Sequence, residues 1–319
     1  VAPEQPLTAR GTVNRWWEQF FGLGLVKTTE EFGAQGEWPS HPELLDWLAS
    51  EFMRPSPAPL GSGAPQSWEI KALHRLIVLS AAYRQSSHVR PEGLRRDPEN
   101  RLLDRGPRFR LQAEFIRDQA LAVGGLLDRR LGGPSIKPYQ PPGLWEQVAF
   151  GGNFSAQTYE ESRGADLYRR GLYVYWKRSL PHPSLATFDA PSRELCTDRR
   201  PRTNTPLQAL VLLNDPIYVE AARGLAHRIM QEGGTSATDR LHFAFGLCLS
   251  RAPTPEEAKL LLTLYQRQVD RFQANRAAAE QLLAVGAKPR PADLDPVELA
   301  AWTTLANALF NLDEMVTRP

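Results

Sequence analysis

The sequence predicts a mainly α, multi-helix domain with a small β element in its middle, around residues 171–187. Three observations carry this: four helix starts of one design, apolar stripes at spacings of three and four, and one short aromatic segment that breaks the helical pattern. The starts are Ser40-His41-Pro42-Glu43, Thr205-Pro206-Leu207-Gln208, Thr254-Pro255-Glu256-Glu257 and Asp295-Pro296-Val297-Glu298. In each, a short oxygen-bearing side chain stands at the expected N-cap, with Glu or Gln three residues later. That is the capping box, in which the cap accepts from a free backbone N–H and the later side chain reaches back. Proline is tolerated at the first helical position because no partner exists there for the N–H it lacks.

The stripes follow in order. Leu44, Leu45, Leu48 and Phe52 form the first, ending before the proline-rich connection of Pro55 to Pro65. Ile70, Leu73, Leu76 and Ile77 mark a second helix, with Lys71 and Arg75 facing out. Ile116, Ala120, Val123 and Leu127 mark a third, ended near Gly132-Gly133-Pro134. Ala258, Leu261, Leu262, Tyr265, Val269 and Phe272 give the longest amphipathic helix, and a last helix runs from Pro296 to about Leu312. The exception is Leu172-Tyr173-Val174-Tyr175-Trp176, aromatic, partly β-branched and bounded by Gly171 and the prolines at 181 and 183. It reads as a buried strand. The stretch from Gly132 to Gly164 lacks periodicity and reads as a long ordered loop. These features describe one large, mostly helical domain over 1–319, with a subdivision into 1–131, 132–187 and 188–319.

The bulk properties exclude several classes. Hydrophobic residues at 42% and charged residues at 23% are ordinary for a globular chain. A formal charge of +2 in 319 residues gives no strong field toward nucleic acid or a membrane surface, so neither is expected as a partner. No stretch is apolar enough to span a bilayer. The chain begins at Val1, which reads as a processed or excised piece whose preceding segment carried an export signal. Two cysteines, Cys196 and Cys248, leave pairing open, and the absence of Cys-x-x-Cys-His means that no c-type haem attaches here.

The chemistry concentrates in a polar block from Phe188 to Asp215. Its charges balance, with Arg193, Arg199, Arg200 and Arg202 against Asp189, Glu194, Asp198 and Asp215. Arginines just ahead of a helix N-terminus suit an anion, because free N–H groups and the helix dipole point the same way. Arg199, Arg200, Arg202 and Asn204 are therefore candidate substrate- or anion-binding residues, and Asp189 a candidate catalytic one. The alternative is that these arginines pair with the block's own acids and pin a loop. A second constellation is Arg110, Glu114, Arg117 and Asp118, placed on one helical face. Glu114 and Asp118, one turn apart, are candidate acid and base, with Arg117 a candidate binding residue; an ion-paired helix surface is the alternative. His41, His74, His88, His182, His227 and His242 form no metal motif, so no metal site is expected. His182, between two prolines, is the histidine to watch. Gly22-Leu23-Gly24 lacks the third glycine and the preceding strand of a cofactor loop.

Several strings, in this order, resemble one family: Val13-Asn14-Arg15-Trp16, Phe21-Gly22-Leu23-Gly24-Leu25-Val26, His41 to Ala49, Leu79 to Ser86, Asn100-Arg101-Leu102-Leu103, Glu114-Phe115-Ile116-Arg117-Asp118, and Arg202 to Leu210 with Leu213-Asn214-Asp215. The chain resembles, from about Asn14 to Glu314, the planctomycete-type C-terminal domain of unknown function 1553, found in large exported bacterial proteins that often carry a c-type cytochrome domain. The resemblance implies an extracytoplasmic setting, with a c-type haem on an upstream domain or a partner rather than in this chain. It supplies no catalytic residue. Two readings follow. One is a binding or scaffold module of a cytochrome-linked system, which predicts an exposed apolar patch and no cleft collecting the motifs. The other is an enzyme module acting on an acidic or sulfated polysaccharide, with electron transfer to a c-type cytochrome. For that reading the polar block, the carboxylates and the aromatics Trp145, Tyr173, Tyr175 and Trp176 would hold the glycan.

Overall fold

The computed structural model describes residues 5–56, 66–147 and 158–318. Positions 57–65 of the proline-rich connection and 148–157 of the central loop lie outside the described residues. The fold is mainly α, as predicted, and the chain divides into two compact units, Val1–Phe109 with Thr317–Pro319 and Arg110–Val316.

The first unit contains α1 (Pro6–Phe21), α2 (Pro42–Met53), α3 (Ile70–Leu79), α4 (Ala81–Arg84) and α5 (Pro91–Arg96). Its core joins Val13, Trp17 and Phe21 of α1 to Leu45, Leu48 and Phe52 of α2 and to Leu73 and Ile77 of α3. The strings that carry the family resemblance act here as fasteners. Asn14 is buried and closes a two-bond ring with Val26, donating from Nδ2 to Val26 O at 3.0 Å and accepting from Val26 N at 2.8 Å. Gly22 takes φ 82 as the C-cap of α1, which a glycine does without steric penalty. Gly24 sits so close to Asn14 and Val26 O that a Cβ has no room. Asp97 accepts from Arg101 N and Leu102 N, folding the 100–103 string into a turn.

The second unit contains α6 (Ala113–Val123), α7 (Leu144–Gln147), α8 (Pro183–Thr187), α9 (Pro206–Asn214), α10 (Pro216–Glu232), α11 (Ala237–Leu249), α12 (Pro255–Ala274), α13 (Arg276–Leu283), α14 (Pro296–Phe310) and α15 (Asp313–Val316). Its core centres on α10 and α14, which are buried almost all round; Ala221, Leu225, Ile229, Trp302, Leu305 and Leu309 are fully enclosed. Two short strands, β1 (Phe109–Arg110) and β2 (Thr317–Arg318), pair as a two-stranded sheet.

The predicted strand at 172–176 is a correction. Gly171–Tyr173 is a turn of 3-10 helix, Leu172 is 74% exposed, and only Val174 makes an isolated parallel bridge, to Ile136. Residues 183–187 form α8 instead of continuing a β element. The aromatic, partly β-branched run predicts a buried strand, but of residues 172–176 only Val174 is buried.

All four predicted helix starts are real, and Pro42, Pro206, Pro255 and Pro296 each open a helix. The caps differ. Thr254 and Glu257 make the full reciprocal box, at 3.2 and 2.8 Å. Asp295 accepts from Glu298 N at 3.1 Å, but the Glu298 carboxylate turns to Arg240. At α2 the cap position is His41, without a side-chain cap bond. At α9 the box is absent: Thr205 makes no cap bond, because Gln208 is buried and donates to Thr187 O and Thr203 O.

Where α6 ends, two backbones approach without side chains between them. A Cβ on Gly224 would overlap Gly124 O, and one on Gly124 would overlap Ala221 O. Gly224→Ala is expected to lower stability by about 2 kcal/mol through overpacking. Gly246→Ala, in open space on α11, should raise it by about 0.5 kcal/mol through helix propensity. Paired urea melts check this, and equal shifts would remove the close-approach argument.

Candidate functional site

Sequence reasoning singled out α6 and the polar block, and the second unit brings them together. Arg110 is a correction in detail, since it lies on β1 ahead of α6 and not on the helical face of Glu114, Arg117 and Asp118. Its guanidinium donates to Asp189 Oδ2 at 2.5 Å, to Thr203 O at 3.0 Å and to Phe188 O at 3.2 Å. Asp189 also accepts from Thr203 N at 2.7 Å and from the Thr203 hydroxyl at 2.8 Å. Its backbone stands at φ 60, a left-handed conformation that aspartate adopts more readily than most residues. Glu114 takes Arg200 at 2.7 Å. Asp189 and Arg200 thus find partners on β1 and α6, and Asp189 also pairs within the block, with Thr203.

One turn further along α6, Asp118 accepts from Gly171 N at 2.7 Å and lies 3.5 Å from Arg117. Burial raises the Asp118 pKa, opposed by the Gly171 N–H and by Arg117. Arg117 itself is fully enclosed and donates to Arg169 O at 2.7 Å and to Leu167 O at 2.8 Å. Burial pulls its guanidinium below the ordinary value, and Asp118, Tyr218 and Asp215 work against that. Asp215, whose pKa burial also raises, caps α10 by accepting from Ile217 N at 3.0 Å. Arg117 and Asp118 of one family string and Asp215 of another therefore share one buried electrostatic centre, with Tyr218 and Ser184 against it. A buried cation with two carboxylates in reach is a candidate site by its perturbed groups, and equally a structural anchor.

The remaining candidates divide. Arg199, Arg202 and Asn204 are exposed along the block, whereas Arg200 is half-buried on Glu114. His182 is buried, its Nε2 at 2.7 Å from Tyr139 O, and burial pushes its pKa down to about 4. Tyr173 stacks under Arg169 at 3.9 Å and accepts from Gly132 N, and Trp176 donates to Ser192 O with Arg193 over its ring. Trp145 and Tyr175 meet Lys137, and Lys177 lies 4.1 Å over Trp145. Trp145 and Tyr175 thus form one aromatic cluster with Tyr159 around Lys137, while Tyr173 and Trp176 make separate contacts. Cys196 is exposed and Cys248 buried, both as free thiols, and burial pushes Cys248 up to about 12. Among the described residues no group of three or more His, Cys, Asp or Glu side chains is placed to hold a metal ion. No described helix is long and apolar enough to cross a membrane.

Sequence reasoning missed a second polar centre, around Glu220 on α10. Its enclosed carboxylate accepts from the Tyr139 and Tyr168 hydroxyls, each at 2.9 Å, and from Lys288 N at 2.7 Å, with Arg223 at 3.4 Å. Burial pushes Tyr139 up to about 12, and the Glu220 charge and its bond to the hydroxyl add to this against the Ala287 N–H. The signal was a glutamate set among Ile217, Tyr218 and Ala221, where a polar residue has to bring its own partners. Beside this centre opens a cleft of about 610 Å³, lined by α10, the turn 124–126 and the 288–291 segment. None of the candidate residues in the block or on α6 lines it.

Comparison with curated proteins and with solved structures returns no match. The family described as Protein of unknown function (DUF1553) matches residues 1–265. That stretch takes in both units' characteristic strings, from Asn14 to Asp215, so the chain belongs to the DUF1553 family.

Proposed function

We propose that this chain is a non-catalytic binding or scaffold module of an exported, c-type-cytochrome-linked bacterial system, docking through the outer face of α9. One observation carries this reading: α9 buries Gln208 beside Leu212 and leaves its other three leucines outside. Gln208 points inward, while Leu207, Leu210 and Leu213 are 63, 52 and 44% exposed at intervals of three residues. A soluble surface helix ordinarily buries its leucines and exposes its glutamine. Three adjacent exposed leucines on a rigid, well-anchored helix suit a partner surface. The carboxylates that could have served catalysis favour the same reading, because Asp189, Glu114 and Asp118 are each engaged by an arginine, a backbone N–H or both. The cytochrome as partner and the extracytoplasmic setting follow from the company the family keeps, and small, transient interfaces are usual for redox partners.

The test is binding of a purified c-type cytochrome domain from the same system to the chain and to Leu207→Lys/Leu210→Lys, followed by surface plasmon resonance. Both leucines are exposed, so folding should survive the change. The expected result is at least a tenfold loss of affinity. Equal affinity would reject α9 as the docking face, and turnover of a sulfated polysaccharide that Glu114→Gln abolishes would replace the scaffold reading with the enzyme one.

A further inference from the structure

The cleft beside Glu220 has a charge pattern that neither the scaffold role nor the folding of the unit explains. Its lining carries Arg223, Arg228, Lys288 and Arg290 with Glu220, Glu232 and His227. Four cations face two carboxylates, and both carboxylates are already engaged. Glu220 is sealed by two tyrosine hydroxyls, Lys288 N and Arg223. Glu232 is held by Arg228 in a two-point contact at 3.0 and 3.2 Å.

The cations differ in what they have left to give. Arg223 is inward, donating to Leu283 O and Lys288 O, and holds the segment after α13 in place. Arg228 also donates to Val123 O at 2.9 Å, which fixes it across the cleft from α10 to the end of α6. Arg290 reaches Glu280 only at 3.3 Å. The Lys288 backbone is bonded on both sides, to Glu220 and Arg223, while its ammonium has no hydrogen-bond or ion-pair partner among the described residues. His227, half-buried, likewise has no hydrogen bond among them. Pro289 and Pro291 stiffen the wall that carries Lys288 and Arg290. The backbone at Lys288 is thus pinned by buried bonds, and both Lys288 and Arg290 line the cavity. Donors arrive from two sides, from α10 and from the 288–291 wall. The volume falls in the range of small-molecule sites.

We propose that this cleft binds a small ligand bearing a tetrahedral oxyanion, a sulfate or phosphate group, with Lys288 and Arg290 as the principal contacts and His227 and Arg228 opposite them. Lysine contributes a compact charge with three donors and arginine a directed fork, which together suit several acceptor oxygens spread in space. The proposal is independent of α9, and either can fail without the other.

The test is isothermal titration of the full chain, at low ionic strength, with inorganic sulfate, inorganic phosphate, glucose 6-sulfate, glucose 6-phosphate and glucose. Lys288→Ala/Arg290→Ala removes the two side chains and leaves the backbone bonds of residue 288 to Glu220 and Arg223. Lys259→Ala/Arg267→Ala, two exposed changes on α12, is the control for lost net charge. The expected result is saturable binding of at least one charged ligand, weakened tenfold or more in the double variant and unchanged in the control, with glucose inert. Tighter binding of a sugar ester than of the free ion assigns the site to esterified ligands, and equal binding assigns it to the ion itself. No binding by the parent at millimolar ligand, or equal binding by parent and double variant, overturns the proposal. An unchanged melting temperature of the double variant without ligand separates lost binding from lost fold.

Discussion

Arg117→Met is expected to lower the unfolding free energy by about 3–5 kcal/mol, the range for removing one partner of a buried ionic cluster. Methionine is close to arginine in length, so the loss is polar rather than a cavity. The guanidinium bonds Arg169 O and Leu167 O and sits against Asp118 in a closed environment. Without it both carbonyls lose their donor, and Asp118 and Asp215 lose the cation that opposes the effect of burial on them. An orphaned buried acceptor alone costs about 1–3 kcal/mol. Arg117→Met/Asp118→Asn should recover part of the loss, since deleting both charges leaves less unpaired than deleting one. Urea unfolding of the wild type, both single variants and the double variant supplies the cycle. A loss below about 1 kcal/mol for Arg117→Met would show that the cluster is solvated and would remove it as an anchor.

That anchor explains why the sequence was legible in some places and opaque in others. Helices opened by proline behind a short oxygen-bearing side chain were readable, and α2, α9, α12 and α14 begin where expected. α10 gave no stripe because it is buried on nearly every side, with Glu220 and Arg223 inside it; periodicity vanishes when there is no solvent face. The block at Phe188 to Asp215 was visible as a concentration of charge, and Glu114 and Arg117 as a pattern on a helix. What sequence could not supply was the pairing. Arg200 with Glu114 and Arg110 with Asp189 join residues 86 and 79 positions apart, and local spacing is silent about such contacts. The capping box at Thr205 failed for the same reason, because Gln208 found acceptors in Thr187 and Thr203 that helix rules do not foresee. The strand at 172–176 failed on exposure, with one buried valine where an aromatic, β-branched run promised a buried segment. The duty of Gly22-Leu23-Gly24 as a helix end packed on Asn14 needed the coordinates.

The second large effect is on pH. His182 is enclosed, its Nε2–H donates to Tyr139 O, and burial holds its pKa at about 4 against an ordinary 6.5, with Arg117 adding repulsion to the charged form. A histidine with a depressed folded pKa contributes stability that is full above the unfolded value. It is lost as pH falls from about 6.5 toward 4, because the unfolded chain takes up the proton first. A shift of that size corresponds to about 3 kcal/mol across the window. Asp118 and Asp215 act in the opposite sense: their raised pKa values mean that the folded state protonates before the unfolded one, so they add stability as pH falls toward the ordinary carboxylate range. Bulk acid unfolding therefore mixes the two signs, and a difference measurement isolates the histidine. His182→Gln keeps a donor near the Nε2 position and does not titrate. The unfolding free energy of the wild type minus that of His182→Gln, measured by urea at intervals from pH 7 to pH 4, should fall by about 3 kcal/mol over that range. A flat difference curve would mean that the imidazole reaches water, and with it the enclosed packing of α8 against the Tyr139 segment would have to be given up.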